Sequence, residues 1–232
     1  MYIDWTYVVL VLPAVLLSLW ASSNVNSTYA RYSKQLNSRG MTGAEAARRL
    51  LDANGLRNVP VEMTEGELTD HYDPKANVIR LSAGVYGGRS TAAVGVACHE
   101  AGHAIQHSVN YAPIKIREAI VPITNLGAKL SMPLIILGLL LGSMSQLFIY
   151  LAYAGVALYG LCAIFQLVTL PTEFNASSRA LASIEGMGLL QGEELDGAKK
   201  VLRAAALTYV AALAVTLMQL LRFALIVSSR RD

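Results

Sequence analysis

The stretch Ala97 to His107 reads ACHEAGHAIQH and holds three of the four histidines in the chain, spaced four residues apart, with one glutamate between the first two. On a helix, His99 and His103 share one face about one turn apart, so both imidazoles can reach a single zinc ion. Glu100 lies about 100° further round the helix, close to such a metal without having to bind it. This is the H-E-x-x-H arrangement. Its two histidines hold Zn²⁺, and its glutamate takes a proton from a metal-activated water and can deliver it to the leaving amine. The pattern fixes only three positions, so chance matches occur. The small residues around it (Ala97, Ala101, Gly102, Ala104) add weight, because they permit close packing about a site.

A third ligand is needed. His107 is eight residues from His99, about 12 Å along a straight helix, too far for one ion with bonds of about 2.1 Å to hold all three histidines. The metzincin pattern solves this with a glycine that turns the chain, but here Gln106 stands at the glycine position and Val109 at the final histidine position. His107 is therefore expected to flank the site or cap the helix end. The alternative is Glu173 in LPTEFNASSRALAS, Leu170 to Ser183, where Pro171 favours a helix start and places Glu173 in the first turn. Glu173, Ser177 and Ala180 would share one face. An acid there can also simply stabilise a helix N-terminus. Ligation is favoured by topology, because Glu173 is the first acid after a long apolar hairpin that follows the motif. Two crossings return the chain to the side it left.

The elements that must position these residues divide by composition. Hydrophobic residues make up 54% of the 232 residues, charged residues only 15%, and the mean hydropathy is +0.43. Soluble domains carry nearer a quarter charged residues, so the balance points to a bilayer. Net charge is +3 with scattered basic residues, which gives nucleic-acid binding no support. Cys98 and Cys162 lie far apart and fit neither a disulfide framework nor a C-x-x-C metal site.

Trp5 to Ala21 is uncharged, aromatic near each end, and long enough to cross hydrocarbon if Tyr2 and Ile3 extend it. With Asp4 and no basic residue before it, it reads as a retained anchor rather than a cleaved signal. Ser22 to Lys115 is mixed and polar. Thr42 to Glu45 is a capping box opening a helix that Gly55 ends. Val59 to Met63 and Val78 to Ser82 read as strands, the second entered through a turn at Asp73 to Asn77. Ser90 is the expected N-cap of a helix from Thr91 to about His107. Met132 to Leu170 carries no Lys, Arg, Asp or Glu and splits into two crossings at GSMSQ, Gly142 to Gln146. The first of these would begin near Ile120, with Lys129 snorkelling or facing protein. Ala204 to Val227 is a fourth crossing, with Arg222 snorkelling near its end.

These residues together resemble a known family. The N-terminal anchor, TGAEAARRLL, DHYDPKANVIRLS, CHEAGHAIQH and LPTEFNASSRAL, in this order, are similar to the YugP-type membrane zinc metallopeptidases of bacteria, within the gluzincin tribe, over nearly the whole chain. The resemblance implies His99, His103 and Glu173 as ligands of one zinc ion and Glu100 as the acid/base. Many gluzincins carry E-x-x-A-D-x-x-A in the second helix, with the aspartate orienting a ligand histidine. Here Ser177 stands at that position and supplies a hydroxyl without charge. Gluzincin sites usually lie beside a sheet edge that aligns an extended peptide, a role open to the strand Asn77 to Ser82 alongside plain scaffolding. His71 and Tyr72 could polarise a substrate carbonyl or make ordinary loop contacts.

The expected fold is thus a mostly α membrane protein with a small α+β gluzincin-like zinc peptidase domain and about four transmembrane helices. Residues 1–22 form the anchor, 23–117 the α+β catalytic region, 118–170 the hairpin, 171–203 the third-ligand helix with its connection, and 204–232 the last crossing and tail. Four crossings put both termini on one side and the site on the other. The site side carries Arg31, Lys34, Arg39, Lys115, Arg117, Arg179, Lys199, Lys200 and Arg203. The opposite side has Arg230 and Arg231 only, so the positive-inside rule places the site on the cytoplasmic face of the bacterial inner membrane. The expected activity is hydrolysis of a peptide or protein substrate, a membrane-associated one included, by a zinc endopeptidase. Two other readings compete. One is a site-2-type intramembrane protease, which would use Leu195-Asp196-Gly197, although GEELDGAKK is polar and reads as a helix start with Asp196 as cap. The other is a membrane scaffold with structural zinc, which would need no base at position 100.

Overall fold

The structure is a computed structural model that describes residues 4–229. Tyr2 and Ile3, which would extend the first crossing, and Arg230 and Arg231, which enter the orientation argument, lie outside the described residues. The chain divides into two compact units, one of residues 22–115 and 171–207, the other of the remaining segments.

The unit that carries the motif is built round one buried helix. The capping box forms as expected. Glu45 donates its backbone N–H to the Thr42 hydroxyl at 3.2 Å, and the Glu45 carboxylate accepts from the Thr42 N–H at 2.8 Å. It starts α2, Gly43–Ala53, and Gly55 leaves it with φ +76°. Strands β1, Val61–Thr64, β2, His71–Asp73, and β3, Val78–Ser82, form a sheet of order β1-β3-β2, with β1 parallel and β2 antiparallel to β3. The β2–β3 turn is set by Asp73, whose carboxylate accepts from the Lys75 and Ala76 N–H groups, and by Asn77 at φ +53°. After the short helix α3, Ala83–Tyr86, Ser90 caps α4, Thr91–Ser108, by accepting from the Ala93 N–H at 3.1 Å.

α2, α3, β2 and β3 all pack on α4. Leu50, Leu51, Ile79 and Leu81 are fully buried in the resulting core, each contributing at most about 1.5–3 kcal/mol. On another side of α4, Gly102 lets a second helix approach until a Cβ at that position would lie 2.7 Å from the Ala176 carbonyl oxygen. That second helix is α6, Gln146–Gly186. The predicted helix start at Pro171 is not there: α6 runs unbroken through it. A mid-helix proline removes one i→i−4 bond and costs about 3 kcal/mol. The helix persists because Thr172, Glu173, Ala176 and Ala180 on the following turns are all buried.

The other unit is helical throughout. A π-helical turn, Tyr7–Val11, leads into α1, Leu12–Tyr32; α5 covers Ala112–Leu141 and α7 covers Glu193–Ser228. α1, with its leading turn, and α5, α6 and α7 are long and apolar enough to cross a membrane, and α5 and α6 break at residues 142–145 as expected. All four of these helices outrun the apolar stretches: α1 continues to Tyr32, α5 starts at Ala112 rather than near Ile120, α6 runs on past Leu170 to Gly186, and α7 starts at Glu193 rather than near Ala204. Asp196 therefore sits in the first turn of α7 instead of capping it.

Within this unit α5 and α6 touch through glycine. A Cβ on Gly155 would lie 2.8 Å from the Ser131 carbonyl oxygen, and one on Gly138 would lie 2.5 Å from that of Phe148. The outward faces expose Leu16, Leu126, Leu140, Ile164, Leu167 and Leu225. An apolar surface of this kind belongs against lipid. Lys129 is exposed among them, which leaves snorkelling as its means of reaching water. Arg222 does not merely snorkel. Its Nε donates to the Asp4 carboxylate at 3.1 Å and its guanidinium lies 5.4 Å from the Tyr7 ring centre, so the two ends of the first and last crossings are tied by a charge pair.

Candidate metal centre

Two helices supply the donors. His99 and His103 project from one face of α4, their rings edge to face at 4.7 Å. α6 brings Glu173 to them, with one carboxylate oxygen 3.3 Å from His99 Nε2 and 3.6 Å from His103 Nε2. The three donor atoms lie within 4.8 Å of one another, the only such group of His, Cys, Asp or Glu among the described residues. Glu173 is 3% exposed. Spacing on one helix and return of the chain by the next thus bring together the residues that the sequence singles out. Glu173 arrives in mid-helix, so the alternative of an acid at a helix N-terminus does not apply.

The far side of each imidazole is also held. His103 Nδ1 lies 2.9 Å from Gln106 Oε1, and the Gln106 amide donates onward to the Thr172 carbonyl at 2.7 Å and to Asn175 Oδ1 at 3.1 Å. A carbonyl oxygen can only accept, so His103 carries its proton on Nδ1 and presents the Nε2 lone pair to the site. Gln106 is fully buried and spans α4 and α6, fastening one histidine of the donor group to the turn that bears Glu173. Sequence reasoning missed this role, reading Gln106 only as the residue that breaks the metzincin pattern. The available signal was its place one turn beyond His103. His99 Nδ1 lies 3.1 Å from the Ser177 hydroxyl, which holds that imidazole from its far side.

Glu100 is buried, at 8% exposure, and outside the three-donor group. Its carboxylate accepts from the Tyr72 backbone N–H at 3.0 Å, so an edge strand of the sheet orients it. That strand is β2. The strand from Asn77 to Ser82 cannot offer a free edge, because β3 is the middle strand, paired on both sides. The sequence missed β2 as a strand because three residues give no period to read. Tyr72 donates its hydroxyl to Asn77 at 2.8 Å, and its ring lies 5.3 Å from that of His107. His107 stays outside the donor group, in the last turn of α4. His71 is exposed, with Nδ1 2.7 Å from the Thr69 carbonyl oxygen, a local loop contact.

The donor set fits a zinc ion: two imidazoles and one carboxylate, His99 half-buried and the other two buried, with the His103 tautomer fixed by Gln106. Electrostatics agree. Burial works against charging His103, yet the hydrogen bond to Glu173 and the nearby Glu100 and Glu173 carboxylates outweigh it, and protonation is favoured overall. The same two carboxylates would favour a cation of either kind beside His103. Cys98, one residue before the motif, stays outside the donor group, and burial pushes its thiol up to about 12. Asp196 of the L-D-G triplet is exposed and takes no part in the donor group.

Comparison with known proteins agrees with this geometry. No solved structure matches the chain. The chain is 48% identical over 226 residues, 97% of its length and 98% of the relative's, to the "Putative membrane protease YugP" of Bacillus subtilis (strain 168). Residues 7–228 match the family model described as "Putative neutral zinc metallopeptidase". With nearly every residue covered by both matches and two histidines and a glutamate converging in the fold, this chain belongs to that zinc metallopeptidase family.

Proposed function

We propose that this chain is a membrane-anchored zinc endopeptidase of the gluzincin type, with His99, His103 and Glu173 as ligands of one ion and Glu100 as general base and acid. The observation that carries the reading is the convergence of the His99, His103 and Glu173 donor atoms within 4.8 Å beside a separately held, buried Glu100. When bound, zinc supplies a Lewis acid that polarises the scissile carbonyl and acidifies water.

The protein's own residues do the rest. Gln106 and Ser177 hold the two imidazoles with Nε2 facing inward. The Tyr72 N–H fixes the Glu100 carboxylate, leaving its other oxygen to take a proton from the attacking water. As the water oxygen bonds to the carbonyl carbon and the C–N bond breaks, Glu100 passes that proton to the departing amine. A structural zinc site would have no use for such a base.

The site is proposed to face the cytoplasm in a bacterial inner membrane. The basic residues that flank the crossings on the motif side support this orientation. A C-terminal fusion to alkaline phosphatase, a reporter active only outside the cytoplasm, should then be active.

The test of the activity is Glu100→Gln, assayed for zinc content and for cleavage of a denatured protein substrate. Retained zinc with cleavage reduced by about 10²–10⁴ is expected; cleavage at the parent rate rejects the mechanism. Comparative proteomics of membranes carrying the parent and the variant would then name the substrate class.

A further inference from the structure

The C-terminal part of α1 and the N-terminal part of α7 lie side by side. The contact is close because residue 197 is glycine: a Cβ there would meet Tyr32 Cδ1 at 2.7 Å and Gln35 Oε1 at 2.8 Å. Beside it the two helices enclose a groove of about 540 Å³ whose lining residues include Asn24, Ser27 and Thr28 and the basic Arg31, Lys200 and Arg203. Arg31 and Lys200 sit over the same ring, their charged centres 5.4 and 5.9 Å from the centre of Tyr32. Three like charges round one hollow repel one another, and the shared ring offsets this only in part.

No carboxylate among the described residues pairs with any of the three. Glu193 and Asp196 line an adjoining hollow with Arg31 and Lys200, and Glu185 lines another with Arg203, but none of them is within ion-pair distance of these cations, and Asp196 contacts Lys199 instead. The groove is thus an anion site by charge and a polyhydroxyl site by its hydrogen-bonding wall.

Its place in the chain identifies the anion. In α1, Asn24 follows the apolar segment that ends at Ala21 by one turn of the same helix. In α7, Leu207, which also lines the groove, leads directly into residues 208–221, which carry no charge. Both helices therefore pass from groove to hydrocarbon-compatible sequence within a turn, the depth at which lipid phosphates lie.

We propose that this groove binds the headgroup phosphate of an anionic phospholipid, with Arg31, Lys200 and Arg203 on the phosphate and Asn24, Ser27 and Thr28 hydrogen-bonding the polar headgroup. Diffuse attraction of basic residues to a membrane requires no cavity, whereas this arrangement has one.

The test uses the full chain in a neutral detergent, titrated with dioctanoyl phosphatidylglycerol, dioctanoyl phosphatidylcholine or inorganic phosphate and read by native mass spectrometry. The parent should retain one phosphatidylglycerol, with phosphatidylcholine and free phosphate binding at least about tenfold more weakly. Each cation near a lipid phosphate is worth about fivefold in affinity, so Arg31→Gln/Lys200→Gln/Arg203→Gln should weaken phosphatidylglycerol binding by about a hundredfold. Lys34→Gln, a neutralisation outside the groove, should leave it unchanged, and Arg31→Lys/Arg203→Lys should keep most of it. If the triple variant fails to fold, Lys200→Gln alone should still lower affinity about fivefold. Equal loss with Lys34→Gln, equal binding of phosphatidylcholine, or phosphate binding as tight as the lipid would each overturn the proposal.

Discussion

The two units bury polarity in opposite ways. In the unit of crossing helices the buried polar side chains among the described residues are hydroxyls: Thr124, Ser131 and Thr169. Ser131 and Thr169 donate to carbonyls one turn back, at Ala128 and Phe165, and need nothing from another helix. In the unit that carries the motif, Glu100, His103, Gln106 and Glu173 are buried together, and each is held by a group distant in sequence. Buried charge is costly unless paired. The molecule takes on that cost where a cation would repay it and avoids it elsewhere. Both units use glycine for close approach, but Gly138 and Gly155 serve packing alone, whereas Gly102 brings α4 against α6 so that His103 and Glu173 can meet.

That contrast can be broken experimentally. The largest effect is expected from Glu173→Gln, which removes the one carboxylate of the three-donor group. Zinc should be lost on dialysis and cleavage with it, with the helical circular dichroism spectrum retained. Gln106→Ala comes next. It should lower zinc affinity about 10–100-fold, measured by competition with a chelating dye, because outer partners of metal ligands have effects of this size. Gly102→Val should act on the same site through packing, costing about 1–3 kcal/mol of stability and weakening zinc binding. Gly155→Val sharpens the comparison, since it should cost a similar amount in thermal stability in detergent while leaving zinc affinity at the parent value. The smallest change should be Ser177→Ala, which removes one neutral hydrogen bond of about 1 kcal/mol and should reduce zinc affinity about fivefold.

The local signals in the sequence were the legible ones. The capping box at Thr42, the N-cap at Ser90, the strand from Val78 and the break at 142–145 are each decided within a few residues, and the structure has them. The histidine pair is likewise a matter of helical spacing. Glu173 was reachable because topology, not contact, singles it out. What escaped depends on distant partners. α6 passes through Pro171 because burial of later turns outweighs a local penalty. Gln106 finds Thr172 and Asn175 66 and 69 residues away. Arg222 finds Asp4 218 residues away. β2 exists only as a partner of β3. None of these is written in the periodicity of its own segment.

The central claim is that one ion is held by two imidazoles and a carboxylate with no sulfur. X-ray absorption at the zinc edge of the full chain, loaded with one equivalent of zinc, tests it most directly. The account predicts nitrogen and oxygen scatterers at about 2.0–2.2 Å, imidazole features for two histidines, and the same spectrum in Cys98→Ala and His107→Ala. A sulfur shell at about 2.3 Å, or a spectrum that changes on removing His107 but not Glu173, would contradict it.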